Sequence, residues 1–146
     1  MNIHIINGPN LNLLGKRQPE IYGSQSFEEY FEELKTRFPG HTLTCFQSNH
    51  EGALIDALHG FGFDKNTAAV INPGGYTHTS IALADAVAGI EIPVVEVHIS
   101  NIYERESFRH HSYIKPHCAH SIVGEGLDGY RQAVEWLLKR FDHGSS

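Results

Sequence analysis

The chain has 146 residues, 40% of them hydrophobic and 19% charged, a profile that suits one folded domain with a sizeable core and shows no low-complexity tract. A formal net charge of -6 argues against non-specific binding to nucleic acid or to an anionic membrane. The two cysteines, Cys45 and Cys118, are too few for a disulfide framework, and there is neither a secretory leader pattern nor an apolar run near ~18 residues, so a cytoplasmic, unprocessed protein with reduced thiols is expected.

Strand and helix patterns alternate along the chain. Ile3, Ile5 and Ile6 form a short apolar run that stops at Asn7-Gly8-Pro9-Asn10, which reads as a first strand and a turn. The polar stretch 11–25 is long for a strand-to-helix connection, which points to a functional loop such as a lid. Ser26 with Glu29 is a capping-box signature, and Phe27, Tyr30, Phe31, Leu34 and Phe38 recur at helical spacing until Pro39-Gly40. Thr42 to Gln47 reads as strand two. Leu54, Ile55, Leu58 and Phe61 mark a second helix, closed by Gly60 and Gly62. Ala68 to Asn72 is strand three, ending in Pro73-Gly74-Gly75, and an alanine-rich third helix is expected from Thr77 to Ala88, stopped by Gly89. Thr77, Thr79 and Ser80 are all eligible caps for it, and its N-terminus would attract a carboxylate.

Pro93 to Ser100 reads as strand four. An irregular stretch follows to Pro116, with one helical turn expected near 104–108. Ser121 to Val123 is strand five, and Leu127, Tyr130, Val134, Leu137, Leu138 and Phe141 make the last amphipathic helix. Gly144-Ser145-Ser146 reads as a disordered tail, leaving 1–143 as one domain. Alternating β and α units of this length imply an α/β fold, with a flavodoxin-like five-stranded parallel sheet in the order 2-1-3-4-5 and helices on both faces. In such sheets ligands bind beyond the carboxyl ends of the strands, beside the switch in strand order.

The residues at those ends are polar. Asn7 and Asn10 follow strand one, and Ser48, Asn49 and His50 follow strand two. Asn72, Tyr76 and His78 follow strand three, and Glu96, His98, Ser100 and Asn101 belong to the end of strand four, with Arg105 and Arg109 beyond. The set suits a hydroxylated, anionic small molecule. Glu96, His98 and Ser100 stand at i, i+2 and i+4, so a strand turns all three to one face. A carboxylate beside an imidazole fixes its tautomer and favours its charged form, the arrangement wanted in a general acid. In the long loop, Arg17 lies close in sequence to Tyr22, and a nearby guanidinium stabilises a phenolate that could act as a base.

Taken in order, these segments resemble the signature of the type II 3-dehydroquinate dehydratases. The first is Ile6-Asn7-Gly8-Pro9-Asn10-Leu11-Asn12-Leu13-Leu14-Gly15 with Arg17-Gln18-Pro19-Glu20-Ile21-Tyr22-Gly23. The others are Gln47-Ser48-Asn49-His50-Glu51-Gly52, Ile71-Asn72-Pro73-Gly74-Gly75-Tyr76-Thr77-His78, and Glu96-Val97-His98-Ile99-Ser100-Asn101 with Arg105, Phe108, Arg109 and His111-Ser112-Tyr113. The resemblance implies anti elimination of water from 3-dehydroquinate through an enolate, with no metal and no cofactor. It implies Tyr22 as base, Arg17 as the residue favouring its phenolate, Asn10 as holder of a water at the enolate oxygen, and His98 as acid oriented by Glu96. It implies substrate contacts from Asn72, His78, the backbone of Ile99 and Ser100, and Arg109, and an Asp85 that reaches a neighbouring subunit's site. The small-molecule substrate would be the only partner apart from copies of the chain itself, which the resemblance implies assemble as trimers and then a dodecamer. Gly75 and Ala84 stand where many members of that family carry alanine and arginine.

The rival reading is a non-catalytic flavodoxin-like binding or signalling module. A phosphorylatable receiver needs acidic residues where Asn7 and Asn72 stand, and Gly8-Pro9-Asn10-Leu11 is a poor flavin-phosphate loop. The His117-Cys118-Ala119-His120 segment fits no strong zinc spacing.

Overall fold

The structure, a computed structural model, describes residues 1–16, 20 and 24–142. Five strands, β1 (Asn2–Asn7), β2 (Thr42–Gln47), β3 (Thr67–Asn72), β4 (Val94–His98) and β5 (His120–Val123), form one all-parallel sheet in the order β2-β1-β3-β4-β5. The expected order is therefore the one found. β3, at the centre, is buried at every position, as a strand covered by helices on both faces must be. β2 lies at the edge, and Leu43 is the one fully buried residue in it.

Among the described residues four helices cover the sheet: α1 (Phe27–Thr36), α2 (Glu51–Phe61), α3 (Ile81–Gly89) and α4 (Asp128–Phe141). Because side chains alternate along a strand, the three inner strands β1, β3 and β4 feed two cores, while β2 and β5 contribute Leu43 and Ile122 to the first. Ile3, Ile5, Val70, Val95 and Val97 pack with Leu34 of α1 and with Tyr130, Val134 and Leu137 of α4. Ile6, Ala69 and Ile71 face the other way, against Leu54 and Leu58 of α2 and Leu83 and Val87 of α3. Among the described residues no helix is long and apolar enough to cross a membrane.

Local signals hold for α1, where Ser26 Oγ accepts the Glu29 N–H at 3.2 Å. The helix ends at Thr36, so Phe38 lies beyond it, yet Phe38 is still buried in the same core. Two expectations need correction. The third helix starts at Ile81, not Thr77, because residues 74–78 form a separate 3-10 turn and Ser80 is the cap, accepting the Leu83 N–H at 2.9 Å. Ser80 also donates to the carboxylate of Glu51, so an acidic side chain of the chain itself stands at this helix end and no ligand carboxylate is needed there. The stretch after β4 holds three 3-10 turns, Ile102–Glu104, Ser107–Arg109 and Lys115–His117, where one was expected. The reading of a lid over 11–25 falls in part, and that of a disordered tail over 144–146 wholly, on residues outside those described.

Candidate active site

Asn7 and Asn72 are register partners at the carboxyl ends of β1 and β3, and His98 ends β4. Beyond them opens a cavity of about 220 Å³, at the sheet edge where the order of strands reverses. Its described walls include Asn10, Leu14, Asn72, Gly74, Gly75, His78, His98, Ile99, Ser100, Ile102, Arg105 and Arg109. Eight of the expected site residues are thus in or immediately beneath one cavity: Asn10, Asn72, His78, Glu96, His98, Ile99, Ser100 and Arg109. Asp85 is not in the walls; it is exposed on α3. Arg17 and Tyr22 lie outside the described residues.

Two loops must nearly touch to make this wall. A Cβ on Gly8 would lie 2.3 Å from the backbone oxygen of Pro73, and one on Gly74, which has φ +61, would lie 2.9 Å from that of Pro9. Glycine is required at both for steric reasons, and at Gly74 for backbone conformation also. Asn10 adopts a left-handed conformation with φ 70, and its N–H donates to Asn49 Oδ1 at 3.0 Å. Gln47 Nε2 donates to the same Oδ1 at 3.1 Å and to Gly8 O at 3.2 Å, while Tyr76 Oη donates to Asn49 O at 2.8 Å. The end of β2 therefore serves to hold the β1 turn.

Glu96 and His98 project from one face of β4, as their spacing predicts. They are 1% and 5% exposed. His98 Nε2 is buried and lies 2.9 Å from Glu96 Oε2. The contact is a close electrostatic one. Burial alone would push the Glu96 carboxyl up; His98 and the hydroxyls of Ser112 and Ser121 outweigh it and hold the carboxyl below its ordinary value, so it is a carboxylate at neutral pH. Ser100 lies past the end of β4, so a bend rather than strand alternation brings it to the cavity.

His78 Nδ1 lies 2.8 Å from the carbonyl of His111. A carbonyl only accepts, so Nδ1 carries the hydrogen. Burial first, and then the nearby His98 and Arg109, outweigh that bond and lower the pKa of His78, which is neutral at neutral pH. Among the described residues the cationic side of the cavity is Arg105 and Arg109; the latter is paired with Glu106 at 2.7 Å and lies over the Phe108 ring at 5.0 Å.

Sequence reasoning passed over three residues that organise the site. Ser112 and Ser121 donate to Glu96. Tyr130 was assigned only to the core, yet its hydroxyl donates to Asn7 Oδ1 at 2.7 Å and accepts from Asn72 Nδ2 at 3.0 Å. The Asn72 Oδ1 in turn accepts the Gly74 N–H at 3.2 Å. The available signal was general: a tyrosine in a buried helix face needs a polar partner, and two asparagines end adjacent strands. Tyr130→Phe strands both amides in the floor and is expected to lower stability by about 1–3 kcal/mol. Urea denaturation measures this, and an unchanged midpoint would show that the phenol does not hold the floor.

Among the described residues no group of three or more His, Cys, Asp and Glu side chains could hold a metal ion. Cys118 is half-buried, and burial pushes its thiol up to about 12.

The sequence profile described as Dehydroquinase class II matches residues 1–138. A 3-dehydroquinate dehydratase of Rhodopseudomonas palustris is 53% identical over 141 residues, covering 94% of this chain and 93% of the relative. The Catabolic 3-dehydroquinase of Emericella nidulans is 49% identical over 142 residues, covering 96% and 92%. The crystal structure of a type II dehydroquinase from Butyrivibrio crossotus superposes with a TM-score of 0.87 at 47% identity, over 94% of this chain and 97% of that one. That of the Propionibacterium acnes type II dehydroquinase gives 0.89 at 40% identity, over 94% and 96%.

Proposed function

This chain belongs to the dehydroquinase class II family and is a hydro-lyase, a 3-dehydroquinate dehydratase, and from that premise we propose how its cavity removes water. Tyr22, as phenolate favoured by Arg17, takes the proton beside the ketone of 3-dehydroquinate. The C–H electrons pass into an enolate, whose oxygen meets a water held by Asn10. The enolate then expels the hydroxyl on the opposite side, which leaves as water with a proton from His98. The product is 3-dehydroshikimate.

The observation that carries this reading is the buried His98–Glu96 pair at the cavity wall: an imidazole against an ionised carboxylate is the arrangement wanted in a general acid. Arg109 and the backbone of Ile99 and Ser100 are the groups to hold the carboxylate and hydroxyls of the substrate. Asn72 and His78 orient the hydroxyls; His78, with its Nδ1–H committed to His111, offers Nε2 as an acceptor. Each proton transfer is assigned to a side chain of this chain. The reaction serves the shikimate route to aromatic compounds or the breakdown of quinate.

Asp85, exposed and away from its own cavity, is the group proposed to complete the site of a neighbouring subunit, in trimers that assemble into a dodecamer. The deciding experiment is to mix the protein with 3-dehydroquinate and follow the ultraviolet absorbance of the conjugated enone. A rise is expected at catalytic protein concentration. No rise with correctly folded protein would end the reading.

A further inference from the structure

Glu96 does not face His98 by strand geometry alone. Ser121 is its direct register partner on β5, and cross-strand partners present their side chains side by side. Ser121 Oγ donates to Oε1 at 2.7 Å. Ser112 Oγ donates to Oε2, the oxygen that also faces His98. The direction of the Ser112 bond is set independently, because Ser112 Oγ already accepts the Lys115 N–H at 3.2 Å and so turns its hydrogen to the carboxylate.

The segment carrying Ser112 is tied to the other histidine of the cavity. The carbonyl of His111 accepts from His78 Nδ1, and the Tyr113 N–H donates to Thr77 O at 3.0 Å. One three-residue strap thus touches both the dyad and the turn bearing His78. We propose that Ser112 and Ser121 are positioning residues that lock the Glu96 carboxylate from two sides, so that Oε2 stays turned to His98 through the catalytic cycle. The inference rests on the assignment of His98 as the acid.

Lock and strap act through charge. With both serine hydrogens on the carboxylate, its two oxygens cannot exchange places or turn away, and the imidazolium keeps its counterion. Among the described residues the other groups around the pair are His78, Arg105 and Arg109 across the cavity and Cys118 ahead of β5, the last kept protonated by burial. None of them can replace a carboxylate.

The test is steady-state dehydration of 3-dehydroquinate by Ser112→Ala, Ser121→Ala and Ser121→Thr across pH. Loss of one hydroxyl that binds a buried charge is expected to lower kcat about tenfold, with KM within about twofold. The alkaline limb of the kcat profile, where the acid loses its proton, moves to lower pH in both alanine variants. Ser121→Thr keeps the hydroxyl on a strand position that tolerates branching and restores kcat and profile. Wild-type kcat with an unmoved alkaline limb, or a limb moved to higher pH, overturns the proposal even where thermal stability has dropped. His98→Ala run in parallel separates the two levels. Turnover retained there sinks the acid assignment; turnover lost there but kept in both alanine variants sinks only the positioning role.

Discussion

His98→Ala lowers kcat for 3-dehydroquinate by about 10²- to 10⁴-fold, with kcat/KM falling in step. Hydroxide is a poor leaving group at neutral pH, and the imidazole is the proton donor the described walls place against an ionised carboxylate. The substitution has a second, separable consequence. It leaves the Glu96 charge buried with only the two serine hydroxyls, and breaking such a pair costs about 3–5 kcal/mol. Turnover must therefore be read where circular dichroism shows the variant folded. A folded variant with wild-type kcat would remove His98 from the mechanism.

The same carboxylate makes stability depend on pH in a defined direction. Its folded-state pKa is depressed, so it contributes stability above the ordinary carboxylate range and loses that contribution as pH falls through the lowered value. Thermal melts taken toward acid pH should fall less steeply for Glu96→Gln than for the wild type.

Tyr22→Phe carries the other large effect, again about 10²- to 10⁴-fold in kcat. Phenylalanine keeps the ring and removes the one atom that can take the proton. The two variants fail at different steps, which gives a sharper test than the rates. With Tyr22→Phe, exchange of the substrate proton beside the ketone for solvent deuterium stops along with dehydration. With His98→Ala the enolate can still form and return, so exchange outlasts dehydration. Loss of exchange only in the histidine variant would reverse the assigned roles. Arg17→Ala should move the acidic limb of the profile to higher pH, because a phenol without its cation needs a higher pH to ionise.

Periodicity made much of the fold readable in advance. Ile3 and Ile5 against Ile6 declare two faces of one strand, and the sheet puts them in two separate cores. Glu96 and His98 two apart declare one face, and they meet. The start of α3 was ambiguous, because Thr77, Thr79 and Ser80 are equally good local caps. Glu51, on another helix, stands beside the one that is used. Ser100 reached the cavity without the strand geometry expected of it, since β4 stops two residues earlier.

What the sequence determined by itself is therefore most of what depends on neighbours a few positions apart: the strands, the helices apart from the start of α3, their succession, the paired faces, and the dyad on β4. What only the tertiary structure decided is which distant hydroxyls complete the polar groups at the end of the sheet. Ser112 and Ser121 stand 16 and 25 positions from Glu96, and Tyr130 stands 123 from Asn7. A hydrogen bond has a reach of about 3 Å and no periodicity along the chain, so such partners become legible only when the sheet has brought them together.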